Sequence, residues 1–169
     1  MLKTILYIVL AFHANAKEVN WQTETTVVER EQKIPVGLLR AIVSVESSFR
    51  PKAVNDVGTP GTAIASYGIG QLTVESLQTC GIKFEERFNG VKGLKCAARL
   101  LKGLLLRYED SEAAISGYND GTPCLCANGR WMTPLNKSCP LPLRKPCNKL
   151  SEGQWRNQKY VDSVLAHMR

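Results

Sequence analysis

Between Val91 and Tyr108 the apolar residues Leu94, Ala97, Ala98, Leu101, Leu104, Leu105 and Tyr108 recur three and four positions apart. That spacing gathers them on one broad face of a helix, and such a face has to be buried against other elements. The same period returns in Leu38, Leu39, Ile42 and Val45, a run that stops by Pro51. Period-two alternation is nearly absent, so no central sheet is expected and the fold class is mainly α.

Local signals bound the remaining helices. A first helix is predicted over Val19 to Gln32, with Trp21, Val27 and Val28 as its apolar members. Pro35 suits the first position of the second helix, where a missing N–H costs nothing. Thr73 is placed to cap a short helix that runs to Thr79 and ends at Gly81. Ser111 caps another through about Tyr118, Asn119-Asp120-Gly121 turns the chain, and a last helix covers about Glu152 to Met168. The stretch 122–151 differs in character: it holds four cysteines, is rich in proline and lacks helical period. It reads as a stapled insertion.

The N-terminus has the form of a signal peptide over residues 1–16. Lys3 supplies the charge, Thr4 to Phe12 the apolar run and Ala14-Asn15-Ala16 the cleavage site. The run is too short to span a bilayer, and polar Lys17, Glu18 and Asn20 follow at once, so no stable membrane span is expected after cleavage. The expected product is an exported, periplasmic or secreted single domain over 17–169. All six cysteines (Cys80, Cys96, Cys124, Cys126, Cys139 and Cys147) lie within it, an even count that suits disulfides in an oxidising compartment. Cys80 and Cys96 flank a loop between two helices and are expected to pair. The other four allow three connectivities, and the strain of a Cys124–Cys126 bridge leaves two. Cys124-x-Cys126 lacks the gap of a zinc knuckle and His13 lies in the leader, so neither metal nor cofactor is expected.

The net charge of +7 favours polyanionic partners, such as cell-wall polymers. No stretch interleaves basic and aromatic residues as a nucleic-acid platform does, and export argues further against nucleic acid.

Four short segments carry candidate chemistry. Glu46-Ser47-Ser48-Phe49-Arg50-Pro51-Lys52-Ala53 sets a glutamate at the end of an apolar helix, where desolvation by Val43, Val45 and Phe49 would keep it protonated near neutrality. Ser66-Tyr67-Gly68-Ile69-Gly70-Gln71 lets backbone approach a ligand, and Gln71 offers both donor and acceptor. Ala114-Ile115-Ser116-Gly117-Tyr118-Asn119-Asp120-Gly121 and Tyr160-Val161 add two tyrosines whose commoner fate is packing.

In this order the segments resemble the signature of the soluble lytic transglycosylase (SLT) family, which is related to goose-type lysozymes. The resemblance covers about Ile34 to Gly121 and resumes near Tyr160. It implies a lysozyme-like helical domain with a glycan in a cleft, and peptidoglycan strands as substrate. It also implies Glu46 as catalytic residue, Ser66 and Gln71 as substrate contacts, Tyr118 and Asn119 as borders of the cleavage site, and Tyr160 as the group orienting Glu46. The family usually has Gly-Leu-Met-Gln where this chain has Gly68-Ile69-Gly70-Gln71, so Gly70 is expected to remove a side chain from the groove.

The resemblance implies a reaction run by one carboxylate. Glu46 protonates the leaving oxygen of the MurNAc-β-1,4-GlcNAc bond and then acts as base, while the muramyl 6-hydroxyl attacks intramolecularly to give a 1,6-anhydro product. Glycosidases that use water need a second carboxylate. Goose-type lysozymes place an aspartate two residues after the glutamine, where this chain has Thr73. Asp56, the only acidic residue between Glu46 and Gln71, is the candidate for positioning water, and with it a lysozyme-type hydrolase is the alternative. Two further readings are a non-catalytic glycan-binding module and an accessory subunit of cell-envelope machinery such as a secretion or pilus apparatus. A monomer is expected. The insertion follows Tyr118-Asn119 and returns before Tyr160, so it either walls the glycan groove or simply staples an exported domain.

Overall fold

The computed structural model describes residues 18–55, 65–121, 124–125, 131–132 and 157–169. The leader expected at 1–16, Asp56, and any pairing among Cys124, Cys126, Cys139 and Cys147 lie outside the described side chains.

Helix α1 (Trp21–Gln32) starts where the Asn20 side chain accepts the Thr23 N–H at 3.1 Å. It stops at Lys33, which turns left-handed (φ 56°) and lets the Lys33 and Ile34 N–H groups bond the carbonyls of Arg30 and Glu29. Thr25, Val28 and Glu29 form its inner face, whereas Val27, expected there, is exposed. The polar Thr25 can be buried because its hydroxyl returns to the Trp21 carbonyl at 2.6 Å.

Helix α2 (Leu38–Ser47) is the core helix, with Leu38, Leu39, Ala41, Ile42 and Val43 buried. Each such leucine or isoleucine contributes about 1.5–3 kcal/mol through burial. Pro35 does not open this helix; α2 begins three residues later. Its start is fixed from outside, by Glu29 of α1. The Glu29 carboxylate is 2% exposed and accepts the N–H groups of Gly37 and Arg40, each at 3.0 Å. A buried carboxylate is tolerable there because it satisfies orphan donors at the positive end of the helix.

Three antiparallel strands of two residues each, β1 (Val54–Asn55), β2 (Ser66–Tyr67) and β3 (Leu72–Thr73), follow in the order β1-β2-β3. They are too short to print an alternation on the sequence. Thr73 caps α3 (Val74–Thr79) as expected, accepting the Ser76 N–H at 3.2 Å. Cys80 and Cys96 are bridged, which ties the end of α3 to helix α4 (Gly90–Tyr108). A Cβ at Gly90 would lie 2.2 Å from the Trp21 ring, so glycine is what lets the indole of α1 rest on α4.

Leu94, Ala97, Ala98, Leu101 and Tyr108 are buried along α4, while Leu104 and Leu105 are only partly covered. Helix α5 (Ser111–Asp120) is capped by Asp110, not Ser111, through the Ala113 N–H at 2.9 Å. It also absorbs Asn119 and Asp120, where a turn was expected. A short antiparallel pair, β4 (Cys124–Leu125) with β5 (Trp131–Met132), lies within the cysteine-rich stretch. Helix α6 (Gln158–His167) buries Val161 and Val164 and packs on α2 and α5. No helix among the described residues is long and apolar enough to cross a membrane.

Candidate active site

Glu46 stands in the last turn of α2, and the residues after it hold the turn in place. Ser48 and Phe49 both take left-handed conformations (φ 51° and 61°), so the chain leaves the helix abruptly. The buried Ser47 hydroxyl donates to the Ile69 carbonyl at 2.7 Å, and Arg50 Nε donates to the Ser47 carbonyl at 2.9 Å. Ser47 thus fastens the glutamate helix to the Gly68-Ile69-Gly70-Gln71 segment.

That segment is braced by its own side chains. The Gln71 carboxamide donates to the carbonyls of Gly68 (2.8 Å) and Ala53 (3.3 Å), and its oxygen accepts from the Ser66 hydroxyl at 2.9 Å. Both amide hydrogens are therefore spent on the loop. What Ser66 and Gln71 can offer a ligand is acceptor lone pairs, not the donor expected of Gln71.

Gly70 does not simply vacate a groove wall, as the sequence suggested. A Cβ there would lie 2.8 Å from the Ala97 Cβ and 3.2 Å from the Tyr118 hydroxyl. The missing side chain points into the contact with α4, and its absence lets the loop settle there. The Tyr118 hydroxyl then donates to the Gly70 carbonyl at 2.8 Å.

Tyr160, on α6, donates its hydroxyl to Glu46 Oε1 at 2.6 Å. Burial pushes the Glu46 carboxyl up to about 7, while the Tyr160 hydrogen bond opposes the rise. The group therefore holds and releases a proton with similar ease at neutral pH. Burial, with the Glu46 charge adding to it, pushes Tyr118 and Tyr160 well above the ordinary tyrosine range, so both stay phenols.

Glu46, Ser66, Gln71, Tyr118 and Asn119 line one cleft of about 560 Å³. Tyr160 backs Glu46 without being part of that lining. Sequence reasoning missed the part of the lining that α4 contributes, Leu100, Gly103, Leu104 and Arg107. It also missed Glu75 on α3, a second carboxylate in the cleft. Thr73 lines the cleft too, but its hydroxyl serves the α3 cap. Asn157 was missed as well. It accepts from the buried Ser116 hydroxyl (2.7 Å) and donates to the Ser116 carbonyl and to Asn119 Oδ1, each at 3.1 Å.

Residues 25–131 match the family model of the Transglycosylase SLT domain. The chain belongs to this family. The match ends before α6, so Tyr160 and Asn157 lie beyond the shared span. No curated protein matches the SLT chain significantly. Among solved structures it is similar to an inactive mutant of the lytic transglycosylase Slt from Pseudomonas aeruginosa, at 18% identity and TM-score 0.48. That alignment covers 59% of this chain and 16% of that one, so the SLT chain spans about a sixth of that enzyme's length. It is also similar to Bd0314 DslA in its wild-type form 2, at 16% identity and TM-score 0.43, over 84% of this chain and 86% of that one.

Proposed function

We propose that the protein is a peptidoglycan lytic transglycosylase in which Glu46 serves in turn as acid and base. The observation that carries this reading is the carboxyl held near neutrality in a glycan-sized cleft and hydrogen-bonded by Tyr160. A protonated Glu46 gives its proton to the glycosidic oxygen as the bond breaks. The resulting carboxylate then takes the proton of the muramyl 6-hydroxyl as that oxygen closes on C1. The nucleophile belongs to the substrate, so its effective concentration is high and no protein nucleophile is needed. Ser66 and Gln71 accept from sugar hydroxyls, while Tyr118 and Asn119 frame the reacting bond.

In keeping with this chemistry, residues 1–16 serve export, and 17–169 act in the periplasm or outside the cell as one SLT domain with an insertion at about 122–151. Mass spectrometry of the muropeptides released from purified peptidoglycan tests the reading. Anhydro-muramic ends support it, and reducing ends alone refute it.

One observation favours a second reading. Glu75 lines the same cleft as Glu46, so a water activated by that carboxylate would make the enzyme a lysozyme-type hydrolase. Reducing ends that disappear in Glu75→Gln would identify this case.

A further inference from the structure

Asn157 is the N-cap of α6, where an asparagine side chain ordinarily accepts a backbone N–H of its own first turn. Here it makes no such bond. Its amide turns instead to α5 and makes three contacts there. Its oxygen accepts from Ser116, a hydroxyl with no exposure. The Ser116 carbonyl, which can only accept, fixes which way round the amide sits, with its nitrogen on that side and its oxygen toward the hydroxyl. The nitrogen bonds the Ser116 carbonyl and the side-chain oxygen of Asn119. One lone pair of Asn119 Oδ1 is thereby taken up by the protein and the way round of its amide is fixed, so its N–H group points the other way and is the donor Asn119 can offer a ligand. Three residues further along the same helix, Tyr160 holds Glu46.

We propose that Asn157 is a positioning residue of the cleft: anchored on Ser116, it fixes the amide of Asn119 so that a donor faces the glycan. The inference rests on the cleft's being the glycan site. It also gives α6 a second task beside Tyr160, since the helix sets the polarity of one wall as well as the placement of the carboxyl.

A double-mutant cycle on the full chain tests it. Asn157→Ala lowers kcat/KM about tenfold in the wild-type background and less than twofold in Asn119→Ala, because the residue acts through Asn119. The melting temperature falls in both backgrounds, since the two bonds to Ser116 are lost in each. Asn157→Asp keeps the bond from the Ser116 hydroxyl, loses the one to the Ser116 carbonyl and can only accept from Asn119, which turns that amide round. It therefore loses more kcat/KM than Asn157→Ala, and the loss is larger where Asn119 is present. A pure charge effect on Glu46 would persist in Asn119→Ala. Equal losses in both backgrounds for either variant overturn the proposal. If the wild type leaves peptidoglycan uncut, the functional reading fails by itself. The cycle is then read from binding of a tetrasaccharide of alternating N-acetylglucosamine and N-acetylmuramic acid, and additive losses of affinity overturn the proposal equally.

Discussion

Tyr160 and Glu46 are 114 residues apart in sequence, yet the tyrosine hydroxyl lies 2.6 Å from Glu46 Oε1. The phenol donates to that oxygen, so it favours the carboxylate and pulls the Glu46 carboxyl down against the effect of burial. Tyr160→Phe removes this pull and leaves burial unopposed. The pH at which Glu46 is half protonated then rises above about 7. In kcat/KM against pH, the limb assigned to Glu46 is expected to move to higher pH. The rate at its optimum falls about tenfold, as one aligned contact to the carboxyl proposed to act as acid and base is lost.

The same shift predicts a dependence of stability on pH. The folded Glu46 carboxyl lies at about 7 against an ordinary value of 4.5, so the folded chain holds its proton more tightly than the unfolded chain does. Its contribution is fully present below about 4.5 and is lost as pH rises through about 7. At 1.36 kcal/mol per unit, the difference is on the order of 3 kcal/mol. Glu46→Gln removes the penalty. Urea midpoints of wild type and variant should agree near pH 4.5 and separate toward pH 8, with the variant more stable.

Glu29 is predicted to matter for folding and not for chemistry. Replacing it by alanine strands the Gly37 and Arg40 N–H groups beneath the core helix and opens a cavity at its start. Loss of two charge-assisted bonds in a buried place costs about 3 kcal/mol. Chemical denaturation of Glu29→Ala should show that loss, with kcat unchanged in the fraction that remains folded.

Gly70 tests how tightly the loop sits on α4. Gly70→Ala brings a Cβ to 2.8 Å from Ala97 and crowds the Tyr118 hydroxyl. Overpacking of this kind costs about 1–3 kcal/mol. The melting temperature and kcat/KM are both expected to drop, and Ala97→Gly, which makes room, should restore part of each.

Much of this was legible in the sequence, for a physical reason. Helical period in Leu38–Val45 and Leu94–Tyr108 records burial directly, and motifs such as Glu46-Ser47 and Tyr118-Asn119 are local strings. What escaped was set by partners far along the chain. Pro35 looked like the start of α2, but the Glu29 carboxylate fixes that start at Leu38. Asn119-Asp120 looked like a turn, but Asn157, from beyond residue 150, bonds Asn119 and α5 runs on through Asp120. Strands of two residues leave no alternation to read. Gly70 looked like a lost groove wall because a sequence does not say that Ala97 stands opposite. Glu75 and Arg107 join the cleft only once α3 and α4 pack together.

The most direct test is Glu46→Gln assayed on purified peptidoglycan, with the muropeptides read by mass spectrometry. Glutamine keeps the shape and can still accept from Tyr160, but it carries no proton to give. General acid–base catalysis contributes about a hundredfold to ten-thousandfold, so the anhydro products should fall by at least that factor while the melting temperature holds or rises. A Glu46→Gln protein that releases anhydro-muropeptides at the wild-type rate would contradict the account.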